Sequence, residues 1–430
     1  MKKFILTAGL IILLSLPNFV SAATDFQTAE MRFICALSSF ASYSGDESFL
    51  VRSMLTSRGW QIEKLSHKND LANAKAFLIS RNFSDGRQIK VLAIAGTEDI
   101  KDAEVDFRVG RTSLNNEEIL GDNFTEKIFV HRGFRDYADS VLSDNLGERL
   151  IEELRNNPNE TLYITGHSLG GAVAMLTAIR LTDLGVTKDR MKVITFGAPA
   201  VGNQKLAENY EDKIDLTRIE ISGDLIKKSL KMLGYVHFGY SVQYNPKLSF
   251  ENNEHQLAIY LDCALRDYYN AGGFQALPEI DEKHKLKTPI YVAPLVIVKE
   301  SFDSDDEEYI KASLIDALKT RLVNLKFSEP PIVKIKDAEN FSGDATEFIY
   351  PAKKAGCKFI LQQVIQAKKI KDALLGNRQV IFEEIIFDTD GYPISLQTSG
   401  ATTKDLTIIE AAILAQENLR ESREKIFEGR

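Results

Sequence analysis

Apolar positions along the chain follow two spacings. Between Thr28 and Tyr43, Met31, Ile34, Cys35, Leu37 and Phe40 recur three and four residues apart, which predicts a helix with one buried side. Lys75 to Arg81 (KAFLISR) and Ile89 to Gly96 (IKVLAIAG) are short apolar runs flanking Asp85-Gly86, which predicts two strands paired about a turn. Residues 98–127 are long, polar and irregular, and residues 133–156 read as mostly helical. An apolar strand starting at Thr161 then runs into Gly166-His167-Ser168-Leu169-Gly170, and the helix-forming run AVAMLTAIRL follows. Met191 to Gly197 (MKVITFG) is a further strand, and Arg218 to Ile221 is a short one ending in Ser222-Gly223-Asp224. Alternation of this kind predicts a mostly parallel sheet with helices packed on it.

The pattern changes after Leu277. Residues 278–290 are charged and proline-flanked and read as a linker. Beyond them, Val292 to Val298 reads as a strand, and Asp305 to Val323 as a helix with Ser304 and Glu307 spaced as a capping box. Strands are predicted at 332–335, 358–366 and 379–387, then a turn at Asp390-Gly391, a return strand over 393–398 and a last helix over 406–426. About 400 residues exceed what one core usually holds. The chain therefore divides into a leader (1–22), a first α/β unit (23–280) and a smaller α/β unit (281–430).

The leader reading rests on Lys2 and Lys3, the apolar run Phe4 to Leu16 and the small residues Val20-Ser21-Ala22-Ala23, with cleavage expected after Ala22. An exported chain, periplasmic or secreted, is the expectation. A net charge of −8 argues against general nucleic-acid binding. The sequence holds three cysteines and no Cys/His cluster at metal-ligand spacing, so no metal or other cofactor is expected.

Gly166 to Gly170 carries the candidate chemistry. Gly-x-Ser-x-Gly is expected by chance in roughly one chain in ten of this length, so the context matters. A strand before it and a helix after it make it a nucleophile elbow: a tight turn lifts the serine hydroxyl off the sheet, at a helix end that favours negative charge. A base and an acid should follow the serine in the order acid, then histidine. His67 and His131 precede Ser168, His167 adjoins it, and His284 lies in the linker, so the base is His237 or His255. Asp224, just past the end of a strand, is the expected acid. The backbone N–H of Leu169 is one expected donor to an oxyanion.

Seven segments in one order resemble the class 3 lipases, the fungal-type triacylglycerol lipase family. They are Ala95-Gly96-Thr97, Val130 to Phe134 (VHRGF), Gly166 to Ala172 (GHSLGGA), Ile194 to Asn203 (ITFGAPAVGN), Gly223 to Ile226 (GDLI), Tyr235 to Gly239 (YVHFG) and His255 to Tyr260 (HQLAIY). Together they cover residues 25–270. The resemblance implies an α/β-hydrolase fold with Ser168 as nucleophile, Asp224 as acid and His255 as base. It implies a second oxyanion donor at Thr97, a lid within residues 98–127 and a disulfide between Cys35 and Cys263. Ala95 stands where the family usually has arginine, and Lys227-Lys228 replace its proline. The expected function is an exported lipase or carboxylesterase acting on acylglycerol, phospholipid or another acyl ester, with a membrane surface as a further contact. The alternatives are a phospholipase A1 acting on membrane lipid and an inactive envelope-binding protein on the same fold. Residues 281–430 carry no catalytic constellation, and their partner is not readable.

Overall fold

The computed structural model describes residues 25–43, 47–68, 73–96, 110–115, 127–246, 254–276, 285–338, 341, 343–370 and 377–429. The predicted leader, Thr97 and most of the expected lid lie outside these residues.

Two helices open the described chain, α1 (Phe26–Ala41) and α2 (Glu47–Ser57). The first starts where the Asp25 carboxylate accepts from the Thr28 N–H at 3.0 Å, an N-cap three residues ahead of the expected start at Thr28. Strands β1 (Gln61–Lys68), β2 (Asn73–Asn82) and β3 (Gln88–Ile94) form an antiparallel meander. A two-stranded ribbon, β4 (Arg111–Ser113) with β5 (Phe129–His131), leads to α3 (Arg132–Val141) and α4 (Leu146–Asn156). The helical stretch expected over 133–156 breaks in two because Asp144 and Asn145 take positive φ.

Next come β6 (Glu160–His167), α5 (Leu169–Asp183), β7 (Met191–Phe196), α6 (Gln204–Tyr210), β8 (Asp215–Ile221) and β9 (Tyr240–Tyr244). The sheet has seven strands in the order β1-β2-β3-β6-β7-β8-β9, parallel from β3 onward. Helix α7 (Leu257–Tyr268) packs against α1 on one face. The opposite face is covered by α3, α4 and α5, through residues such as Phe134, Leu150 and Val173. This arrangement, with a strand–elbow–helix at β6 and α5, is the α/β-hydrolase fold.

The rest of the chain builds a second sheet. It contains β10 (Ile290–Val292), β11 (Leu295–Val298), α8 (Ser304–Lys319), β12 (Leu325–Phe327), β13 (Ile332–Ile335) and α9 (Thr346–Lys354). Strands β14 (Phe359–Lys369), β15 (Arg378–Asp388) and β16 (Pro393–Thr402), then α10 (Ile408–Glu417) and α11 (Arg420–Phe427), complete it. The strand expected over 292–298 is two strands. β10 pairs with the first part of β14 and β11 with a later part, and Ala293-Pro294 makes the step between them. The expected capping box at Ser304 does not form: Asp303 is the N-cap residue, and its side chain makes no cap hydrogen bond.

The two sheets share a core. Phe33, Leu37 and Leu55 of the first unit lie in one apolar cluster with Leu265, Ile310, Leu314, Ile409 and Ile413. Polar contacts cross the same boundary. Arg266, held by Asp262 on its own helix (2.8 Å), donates to Asp306 (2.7 Å), Thr407 donates to Asp262 (3.1 Å), and Tyr269 donates to Asp316 (2.9 Å).

Candidate active site

The elbow is forced by close backbone approach. A Cβ on Gly166 would lie 2.3 Å from the Gly170 carbonyl carbon, so a side chain there would push the turn open. Between the two glycines Ser168 is held at φ 57° and ψ −126°, a strained conformation for a residue with a side chain. The Ser168 N–H donates to the Phe196 carbonyl at 2.9 Å and ties the turn to β7. Leu169 begins α5, so its N–H belongs to the first helical turn, whose amides have no partner within the helix.

Asp224 and His255 meet past the carboxyl ends of the parallel strands. His255 Nδ1 lies 2.7 Å from Asp224 Oδ2, and both side chains are buried. An ionised carboxylate only accepts, so Nδ1 carries the proton. His255 Nε2 is buried and has no hydrogen-bond partner among the described residues. Two further donors hold the carboxylate. The Tyr260 hydroxyl reaches Oδ2 at 2.6 Å, and the Ile226 N–H reaches Oδ1 at 2.9 Å. Burial pushes the Asp224 carboxyl up, but the bonds and charge from His255, with Tyr260 and Ile226, outweigh it and leave the group below its usual value. Gly197 makes room for the arrangement, since a Cβ there would lie 2.6 Å from Asp224 Oδ2.

His237, the other candidate base, lies elsewhere: its Nε2 sits 2.8 Å from the Lys227 carbonyl. His131 is the N-cap of α3 and accepts from the Phe134 N–H at 3.4 Å. His167 has a structural place not readable from its neighbours in sequence. Its Nε2 lies 2.8 Å from the backbone carbonyl of His255, and its Nδ1 lies 3.1 Å from the Tyr43 hydroxyl. Burial, then the charge of His255, lowers its pKa to about 3. It is therefore a neutral imidazole with the proton on Nε2, donating to one side and accepting from the other. Tyr260 and Gly197 stand inside the HQLAIY and ITFGAPAVGN segments, which assign them no role, and Tyr43 carries no local signal.

Thr97 falls outside the described residues. The expected disulfide is not formed: Cys35, Cys263 and Cys357 are all free and buried. Cys35 sits under the sheet beside the Thr165 hydroxyl, whereas Cys263 sits among Asp262, Arg266 and Glu410. The two thiols thus belong to different surroundings, although their helices touch. Among the described residues no group of His, Cys, Asp and Glu side chains could hold a metal ion.

The fold is that of an α/β-hydrolase, with Ser168, Asp224 and His255 past the carboxyl ends of its parallel strands. Residues 91–232, which hold the elbow and the acid, match the family described as Lipase (class 3), and the resemblance read from the motifs holds across them. The chain is 41% identical over 70 residues to Lipase ZK262.3 of Caenorhabditis elegans, covering 16% of this chain and 20% of that one. It is 38% identical over 91 residues to Phospholipase A1-Igamma1, chloroplastic, of Arabidopsis thaliana (19% and 18%). It is 35% identical over 98 residues to Secreted mono- and diacylglycerol lipase A of Penicillium cyclopium (23% and 32%). The chain thus spans a third or less of the length of these relatives.

Proposed function

We propose that the protein is an exported serine ester hydrolase of the lipase type, cleaving acyl esters through an acyl-enzyme. The observation that carries this is the 2.7 Å pair of His255 and Asp224 in the same sheet end as a strained Ser168. In this reading His255 Nε2 takes the Ser168 proton as the hydroxyl attacks the ester carbonyl. Asp224 keeps the imidazole oriented and stabilises the imidazolium. The Leu169 N–H donates to the developing oxyanion, with Thr97 as the second donor; losing one such donor costs about a hundred- to thousand-fold in rate. The alcohol leaves with the proton from His255, and water then repeats the sequence on the acyl-enzyme. Residues 281–430 form an accessory unit that supports the hydrolase unit through the shared core.

A phospholipase A1 reading is the second, favoured by the plant relative whose name carries that activity. An inactive envelope-binding protein is the third; the retained Ser168, Asp224 and His255 count against it. The test is hydrolysis of p-nitrophenyl esters from acetate to palmitate and of a phospholipid, by wild type and Ser168→Ala, with fluorophosphonate labelling of Ser168. Activity and labelling that vanish in the variant are expected. Folded wild type that neither labels nor hydrolyses any ester would overturn the reading.

A further inference from the structure

The segment that follows Asp224 has a surface the proposed chemistry does not use. Leu225 is 75% exposed, Met232 97% and Leu233 47%, an unusual concentration of bare apolar side chains within nine residues. Lys228 and Lys231 stand exposed among them. Lys227 is excluded from this set, because it pairs with Glu220 at 3.4 Å. The segment is not loose. Leu230 is buried as its anchor, Asp224 Oδ1 accepts from the Ile226 N–H, and Arg111 donates to the Leu233 carbonyl.

Its position matters. β6 and β8 are both parallel members of one sheet, so Ser168, just past β6, and residues 225–233, just past β8, lie at the same sheet edge. Leu233 also lines an open cleft of about 400 Å³ with Arg111, Phe129, Asn203, Lys205 and Tyr235, and with Glu208 on its wall. Apolar side chains and cations are thus gathered on one face of a chain whose net charge is −8.

We propose that residues 225–233 dock the protein on an anionic lipid surface. Leu225, Met232 and Leu233 enter the boundary between headgroups and acyl chains. Lys228 and Lys231 meet lipid phosphates, and the cleft beside Arg111 takes a headgroup; Lys205 on its wall is paired with Glu208 at 3.5 Å. Charge complementarity selects this occupant: an acidic protein is repelled from an anionic bilayer except where such a face is presented. The inference rests on the ester-hydrolase reading for what the docked protein would act on, and docking would turn the Ser168 edge of the sheet toward the lipid.

The test is co-sedimentation of full-length Ser168→Ala protein with vesicles of phosphatidylcholine alone and of phosphatidylcholine mixed with phosphatidylglycerol, at low and high salt. Binding to the anionic vesicles that weakens with salt is expected, with little on the neutral ones. Lys228→Glu with Lys231→Glu should weaken it by at least roughly five-fold per lysine. Leu225→Ser with Met232→Ser should weaken it at both salt concentrations. Circular dichroism confirms that each variant is folded, and the salt series on the unaltered surface needs no variant. Equal binding to both vesicle types, no binding to either, or unchanged binding in both folded variants would overturn the proposal. Hydrolysis of a soluble short-chain ester by wild type is measured alongside. Its presence without vesicle binding removes the docking face alone, and its absence with anionic binding intact removes the hydrolase reading alone.

Discussion

Tyr260 donates to the same oxygen of Asp224 that His255 contacts, at 2.6 Å against 2.7 Å. One carboxylate oxygen therefore serves two donors, one of them in the proposed reaction and one that stays put. Burial, then the negative charge of Asp224, holds the Tyr260 hydroxyl well above its usual pKa, so it remains a donor throughout the working range. Tyr260→Phe leaves the carboxylate less satisfied. A hydrogen bond to a charged group is worth about 1.5–3 kcal/mol, so the variant should lose about that much stability toward denaturant, and kcat/KM should fall because the Asp224 carboxylate loses a fixed partner. Unchanged stability and unchanged kcat/KM would show that the Tyr260 hydroxyl does not hold Asp224.

His167 makes acid a cost. Its folded pKa is depressed to about 3, below the ordinary value of 6.5. The unfolded chain therefore binds a proton that the folded one refuses between those values. Stability is unaffected by this group above pH 6.5 and is lost as pH falls toward 3, at up to about 1.4 kcal/mol per pH unit. Denaturant titrations of wild type and His167→Gln should diverge in slope across that window. Parallel curves would show that His167 does not titrate as described.

Glu410 acts in the opposite direction. It is fully buried, and burial followed by the charge of Asp262 raises its carboxyl well above 4.5; its own backbone amide, that of Thr407 and the Arg266 charge offset this only in part. The folded state thus holds a proton that the unfolded state releases, so this group costs stability as pH rises above 4.5. Glu410→Gln should be the more stable protein at neutral pH, by about 1–3 kcal/mol. The gain should fade on acidification toward 4.5, as thermal midpoints at several pH values would record.

All three thiols should be silent in the native protein. Burial pushes Cys263 up to about 12 and raises Cys35 and Cys357 as well. A thiol reagent such as Ellman's should find none of them quickly before unfolding, and all three afterwards without prior reduction. Two fewer thiols in the unreduced, unfolded chain would mean that a bridge forms after all.

The elbow was readable in sequence because its geometry permits so few residues: Gly166 cannot carry a side chain, and a strand and helix must flank it. The meander around Asp85-Gly86 was readable because its apolar runs bracket a turn. Other features depended on distant neighbours. Strand β1 is polar (QIEKLSHK) and sits at a sheet edge, so its residues show no apolar run. The last helix, expected over 406–426, is two, with Asn418 and Leu419 between them. Chain order alone leaves His237 and His255 open and the motif resemblance names His255; the fold adds the physical distinction, a carbonyl partner for one and a carboxylate for the other. Tyr43 reaches His167 across 124 positions, a separation that local spacing cannot encode.

The cluster that joins Phe33 and Leu37 to Ile409 and Ile413 also sets an order of events. A chain is made from its amino end. Helix α2 is therefore finished early, while α10, which packs against it, arrives among the last residues. Until then the contact surface on α2 is open to water and to other proteins. Proteins that hold unfolded chains would have their longest engagement at this amino-terminal helix, and a message cut short before residue 408 would leave it exposed for good.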